Sequence, residues 1–189
     1  MTVAMGLTAV TVSIASAEQH HHWSYSGDGG PSHWAELDAK NAACGEGKSQ
    51  SPVNIRTRDV RRTPLPKLVF KYRSTPLHII DNGHSIQIDV EPGSVLKVGD
   101  KSYQLVQFHF HHPSEELVNG KRSEMVAHLV HRDTEGKLAV VAVLLRASQP
   151  NATVEALWSH LPKQKEHEAD FKDVRISPDG KVFFVADMM

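Results

Sequence analysis

The sequence predicts a mainly β protein of the α+β class, a single domain with few short helices. Three observations carry that reading. From Lys67 onward the chain breaks into short runs of β-branched and aromatic residues separated by turn signals. Only the segment after Asn151 spaces its apolar residues as a helix does. At 189 residues the chain is long enough for one sizeable core.

The N-terminal run Met1 to Ala17 is mildly apolar, carries no charge and ends Ala15-Ser16-Ala17. That ending suits signal-peptidase cleavage, so residues 1–17 are expected to be a signal peptide, with a mature domain over 18–189 and a periplasmic or secreted destination. The run is too short and too weakly apolar to span a membrane, and no other segment could. Residues 18–60 contain His20-His21-His22-Trp23, Tyr25, His33-Trp34 and Gln50-Ser51-Pro52-Val53-Asn54-Ile55, spaced by glycine and serine. This reads as an extended arm with turns and no helix, anchored by Trp23 and Trp34.

Strands follow at Lys67–Tyr72, Leu77–Ile80, Ser85–Val90 and Val95–Val98, broken by Asp81-Asn82-Gly83, Pro92-Gly93 and Gly99-Asp100. Leu138–Leu145 is almost continuously apolar and reads as a central strand buried on both faces. Asn151 caps a helix carrying Val154, Leu157, Trp158 and Leu161, and Pro162 closes it. The charged stretch Lys163 to Asp173 reads as surface loop, and Val174–Ile176 with Val182–Val185 as a closing hairpin.

Between these lie two strands that carry chemistry. In Val106-Gln107-Phe108-His109-Phe110-His111, alternation puts His109 and His111 on one face, roughly 7 Å apart along the backbone at about 3.3 Å per residue. Pro113 ends that strand, Asn119-Gly120 marks a turn, and Met125 to Val130 returns antiparallel, which brings His128 beside the pair. Three neutral imidazoles leaving one open position are the protein half of a catalytic zinc site. Alternation turns His112 and His131 the other way, so neither is expected to be a ligand. Gln107 shares the face of His109 and His111 and can hydrogen-bond a ligand histidine.

Charge argues against polyanionic partners. Net charge is −1 and no basic run carries interleaved aromatics, so nucleic acid is not expected. Arg56, Arg58, Arg61 and Arg62 sit with Asp59 among prolines and read as a solvated loop. Cys44 is the only cysteine, a thiol with no partner in the sequence.

The ordered set His22-Trp23-Ser24-Tyr25, Gly30-Pro31-Ser32-His33-Trp34, Gln50 to Ile55, Asn82-Gly83-His84, Gln107 to His111 and Ala127 to His131 resembles the α-class carbonic anhydrases, in their exported bacterial form. The resemblance implies a large, twisted, mostly antiparallel sheet around a Zn2+ held by His109, His111 and His128. It implies reversible hydration of carbon dioxide to bicarbonate and a proton, with zinc-bound hydroxide as nucleophile. It places the proton shuttle at His84 and the orienting carboxylate at Glu115. It puts Val130 and Val140 along the carbon dioxide pocket, and Gln107, Gln87 and Tyr25 around the metal and pocket. Glu116 is expected to be a solvated loop acid.

The family pattern and this sequence part company twice. Many members carry a glutamate two residues before the third histidine; here Val126 stands there, and Glu124 is a distant substitute. A changed support for His128 is therefore expected. The family also continues into a Ser-Leu-Thr-Thr-Pro-Pro-Cys motif that supplies the threonine partner of Glu115 and the usual partner of an N-terminal cysteine. The sequence ends at Met189 without it, which implies that the C-terminal part of the family fold is missing. The second reading is accordingly a catalytically impaired zinc-binding domain of the same family. A third, from His109-x-His111 with Glu115, is the metal motif of cupins, but Tyr103 stands where cupins place glycine and no Pro-x-Gly turn precedes His128.

Overall fold

The computed structural model describes residues 23–147, 150–164, 167–176 and 184–188. The expected signal peptide, His20 to His22 and residues 177–183, which join the two arms of the expected closing hairpin, lie outside the described residues. The chain divides into two compact units, Met1–Gln50 and Ser51–Met189.

In the first unit, Trp34 donates its indole N–H to the carbonyls of Ser24 and Gly29, both at 3.0 Å. Trp23 and Tyr25 meet the Trp34 ring edge to face, with centroids 5.8 and 6.0 Å away. The segment is not purely extended but contains two single-turn helices, α1 (Trp34–Leu37) and α2 (Ala43–Glu46). Asp38 caps the turn between them by accepting from the Lys40 backbone N–H, and the alanines at 39, 42 and 43 favour the helical backbone. Cys44 lies on α2 as a free, exposed thiol.

Besides one short 3-10 turn (Thr57–Asp59), the second unit holds twelve strands and one α-helix among its described residues. They are β1 (Asn54–Ile55), β2 (Leu68–Lys71), β3 (Thr75–Asp81), β4 (Ile86–Asp89), β5 (Val95–Val98), β6 (Lys101–His111), β7 (Leu117–Val118), β8 (Lys121–Arg122), β9 (Met125–Arg132), β10 (Leu138–Leu145), α3 (Ala152–Trp158), β11 (Glu168–Ile176) and β12 (Phe184–Met188). A nine-stranded antiparallel sheet runs β11-β3-β4-β6-β9-β10-β12, with β5 pairing the start of β6 and β2 pairing β5. The small β1-β7-β8 sheet includes one parallel pair, β1 with β7.

Alternation gives the large sheet two chemically different faces. Ile79, Ile88, Phe108, Phe110, Leu129, Val141 and Val143 are buried on one face, with Leu157 of α3 in the same core. Asn151 caps α3 as expected, accepting from the N–H groups of Thr153 and Val154. Trp158 meets Phe110 edge to face at 5.3 Å. The opposite face carries Gln107, His109, His111, His128, Val130 and Val140. A register shift between Leu105 and Gln107 sets this division: Leu105 opposes His131, whereas Gln107 opposes Val130. The extra residue lets both Leu105 and Phe108 enter the core.

At the C-terminal end two expectations are corrected. Residues 168–173 belong to β11 rather than to a loop, and β11 and β12 do not form a hairpin. They pair with β3 and β10, at opposite edges of the sheet. Backbone pairing does not depend on side-chain charge, and charged side chains are at home on an edge strand.

Candidate metal centre

His109 and His128 are direct register partners across β6 and β9, and His111 follows two residues along β6. Ring centroids are 4.9 Å apart for His109–His111, 5.4 Å for His109–His128 and 4.9 Å for His111–His128. One nitrogen from each ring lies within 4.8 Å of the others. Strand alternation and register thus bring together the three residues the sequence singles out.

Hydrogen bonds decide which nitrogens point inward. The Gln107 side-chain oxygen lies 2.9 Å from His109 Nδ1. A carboxamide oxygen only accepts, so Nδ1 carries the hydrogen and Nε2 keeps its lone pair. His128 Nε2 lies 2.7 Å from Glu116 Oε1, which leaves Nδ1 as its lone-pair nitrogen. Glu115 Oε2 faces two of the rings, 3.5 Å from His111 Nε2 and 3.8 Å from His128 Nδ1.

Electrostatics favour metal. Burial, then the charges of His111 and His128, push His109 down to about 4. Burial also lowers His111, against the raising influence of Glu115. Rings that resist protonation at neutral pH are in the form a metal needs. Three imidazole nitrogens on a rigid sheet fit zinc better than magnesium or calcium, which favour oxygen ligands.

The loop between β6 and β9 is tightly held. Ser114 is fully buried; its Oγ donates to the Glu116 carbonyl at 2.8 Å and accepts the Ser123 N–H at 2.8 Å. The Arg122 guanidinium binds the Ser114 carbonyl. The small sheet braces the loop further, with Thr57 N–H on the Asn119 side chain and Gly120 N–H on Asn54. The expectation for Glu116 is therefore wrong: it is 6% exposed, not solvated. Burial raises its carboxyl, but the His128 hydrogen bond and charge outweigh this and hold it below its ordinary value. Glu124 does not substitute at His128, because its carboxylate accepts the Ala147 N–H instead. No sequence signal separates Glu115 from Glu116, since loops lack the alternation that sorts strand residues. The two serines that pin the loop were the available hint.

The remaining candidates divide. Val130 and Val140 are direct partners on the histidine face, both half-buried. Gln87 opposes His109 across β4 and β6, but its amide donates to Asp89 at 2.8 Å. His84 is exposed in the turn before β4, its N–H held by the Asn82 side chain at 3.0 Å. Tyr25 belongs to the first unit and its aromatic group. His112 and His131 stay out of the cluster as alternation requires: His112 Nδ1 donates to the Glu124 carbonyl at 2.6 Å, and His131 packs against Tyr72.

An antiparallel sheet presenting three convergent histidines on adjacent strands is a β-sheet scaffold carrying a group that could hold a metal ion. More narrowly, the chain belongs to the eukaryotic-type carbonic anhydrase family, whose model it matches over residues 29–180. It is 39% identical over 158 residues to a carbonic anhydrase of Nostoc sp., covering 82% of this chain and 60% of that one. It is 35% identical over 159 residues to a carbonic anhydrase of Pectobacterium carotovorum, covering 84% and 64%. The α-carbonic anhydrase of Thermovibrio ammonificans, solved with the inhibitor sulfanilamide, superposes with a TM-score of 0.79 at 35% identity, covering 84% of this chain and 70% of that one. The chain thus spans 60% and 64% of the length of these two curated relatives.

Proposed function

We propose that this chain catalyses the reversible hydration of carbon dioxide to bicarbonate and a proton, with zinc held by His109, His111 and His128. The observation that carries it is the convergence of three imidazole nitrogens within 4.8 Å in a chain of this family. Zinc in such a donor set lowers the pKa of a bound water to about 7 and so supplies a nucleophile at neutral pH.

The chain's own groups do the rest. Gln107 holds the proton on His109 Nδ1 and so keeps Nε2 turned inward. Glu115 Oε2, 3.5 Å from His111 Nε2 and 3.8 Å from His128 Nδ1, is the carboxylate placed to orient the attacking oxygen. Val130 and Val140 give an apolar surface beside His128, suited to an uncharged gas molecule. A new carbon–oxygen bond forms, bicarbonate leaves, and the proton released from water passes to solvent. His84, exposed in the turn before β4, is the relay. Export from the cytoplasm fits the Ala15-Ser16-Ala17 ending.

Stopped-flow hydration by zinc-loaded protein, with His109→Ala as control, tests the reading. A zinc-dependent rate lost in the control supports it. One bound zinc with a rate no higher than buffer would leave a zinc-binding domain and overturn the enzymatic proposal.

A further inference from the structure

We propose that Glu116 is the positioning residue for His128: its buried carboxylate fixes that ring's tautomer so that Nδ1 faces the metal. The proposal rests on the zinc reading of the three histidines and adds a group outside the ligand set.

Three side chains could support His128. Val126 lies on its face of β9 and is fully buried, but offers no acceptor. Glu124 is engaged at Ala147. Of these only Glu116 reaches the ring, with Oε1 2.7 Å from Nε2, while Glu115 lies 3.8 Å from the opposite nitrogen, Nδ1. It comes from the loop rather than from the strand, so its position depends on that loop's fixation. Ser114 supplies this through its bonds to Glu116 and Ser123, and Arg122 adds its hold on the Ser114 and Glu115 carbonyls.

The other carboxylate oxygen strengthens the case. Glu116 Oε2 is buried with no hydrogen-bond partner, the one such side-chain atom among the described residues. Burying a carboxylate without full pairing is unfavourable, so the group's gain must come from the His128 contact. A carboxylate acceptor also draws the Nε2 proton more strongly than an amide and makes the opposite nitrogen a better donor to a metal. The centre is therefore asymmetric. His109 is supported by the neutral amide of Gln107 through Nδ1, His128 by a carboxylate through Nε2.

Two measurements on wild type, Glu116→Gln and Glu116→Ala test this. Nitrogen-15 NMR of the metal-free protein should show His128 with its proton on Nε2 in wild type and a mixed tautomer in Glu116→Ala. Competition with a chromophoric chelator should show zinc affinity falling about 10- to 100-fold in Glu116→Ala, with smaller loss in the isosteric Glu116→Gln. A merely structural role would lower the melting temperature without moving the tautomer. Unchanged tautomer and unchanged zinc affinity in either folded variant overturn the proposal. Because the tautomer is read without metal, a wild type that binds zinc but fails to hydrate carbon dioxide would defeat the functional reading and leave this one standing.

Discussion

Gln107 and His109 lie two residues apart on the same face of β6, and the Gln107 oxygen accepts the His109 Nδ1–H at 2.9 Å. The contact is local, made possible by the period of the strand itself, and it turns Nε2 towards His111 and His128. Gln107→Leu keeps the side chain's bulk and removes the acceptor. Zinc affinity should fall about 10- to 100-fold with little change in unfolding midpoint. Chelator competition checks the first and thermal denaturation the second; wild-type affinity would refute the assignment.

The proposed shuttle gives a kinetic prediction. His84→Ala should lower turnover in dilute buffer and recover as a small imidazole buffer is added, because an external base then removes the proton. Stopped-flow rates across a buffer series measure this. Equal rates for wild type and variant at every concentration would exclude His84 from the relay.

His131, fully buried on the core face, gives a pH prediction. Its Nδ1–H donates to the Ala139 carbonyl at 3.1 Å, so the neutral ring accepts the Tyr72 hydroxyl at Nε2, 2.7 Å away. Burial pushes its pKa below the ordinary value, against the opposing backbone carbonyls of Ala139 and Leu129. The unfolded chain therefore takes up this proton more readily than the folded protein. The contribution to stability is fully present above the unfolded value of about 6.5 and is lost as pH falls towards the lowered folded value. Urea unfolding above and below that value should show a steeper loss on acidification in wild type than in His131→Asn. Equal slopes would count against the account.

Leu157 is the fully buried residue of α3. Leu157→Ala should cost about 2–5 kcal/mol, the range for a large-to-small core change. The same substitution should loosen the Trp158–Phe110 contact, and so be visible as a shift in tryptophan fluorescence.

The turn joining β7 to β8 has Asn119 at φ 51° and Gly120 at φ 77°. Nothing lies near a Cβ built at Gly120, so Gly120→Ala meets only the backbone cost of about 1–2 kcal/mol for an L-residue there. A denaturant midpoint equal to wild type would show that the turn relaxes freely.

How much of this was legible in the sequence follows from which forces leave a pattern. Val95–Val98 and the His109, His111, His128 set could be read because strand alternation is strict and one face is buried. Asn151 could be read because a cap needs a short acceptor immediately before helical spacing begins. Glu168 to Asp173 could not, because an edge strand is held by backbone bonds to β3 and tolerates charge. Glu116 could not, because its partner lies on another element and its own loop has no period. The bulge after Leu105 is likewise a property of the β6–β9 pairing, not of β6 alone.

X-ray absorption at the zinc edge, on protein loaded with one equivalent of zinc, tests the three-histidine centre most directly. One zinc per chain with three imidazole nitrogens at about 2.0–2.1 Å and one further oxygen is expected, with loss of one imidazole shell in His128→Ala. A shell of fewer than three imidazoles in the wild type, or an unchanged shell in His128→Ala, would contradict it.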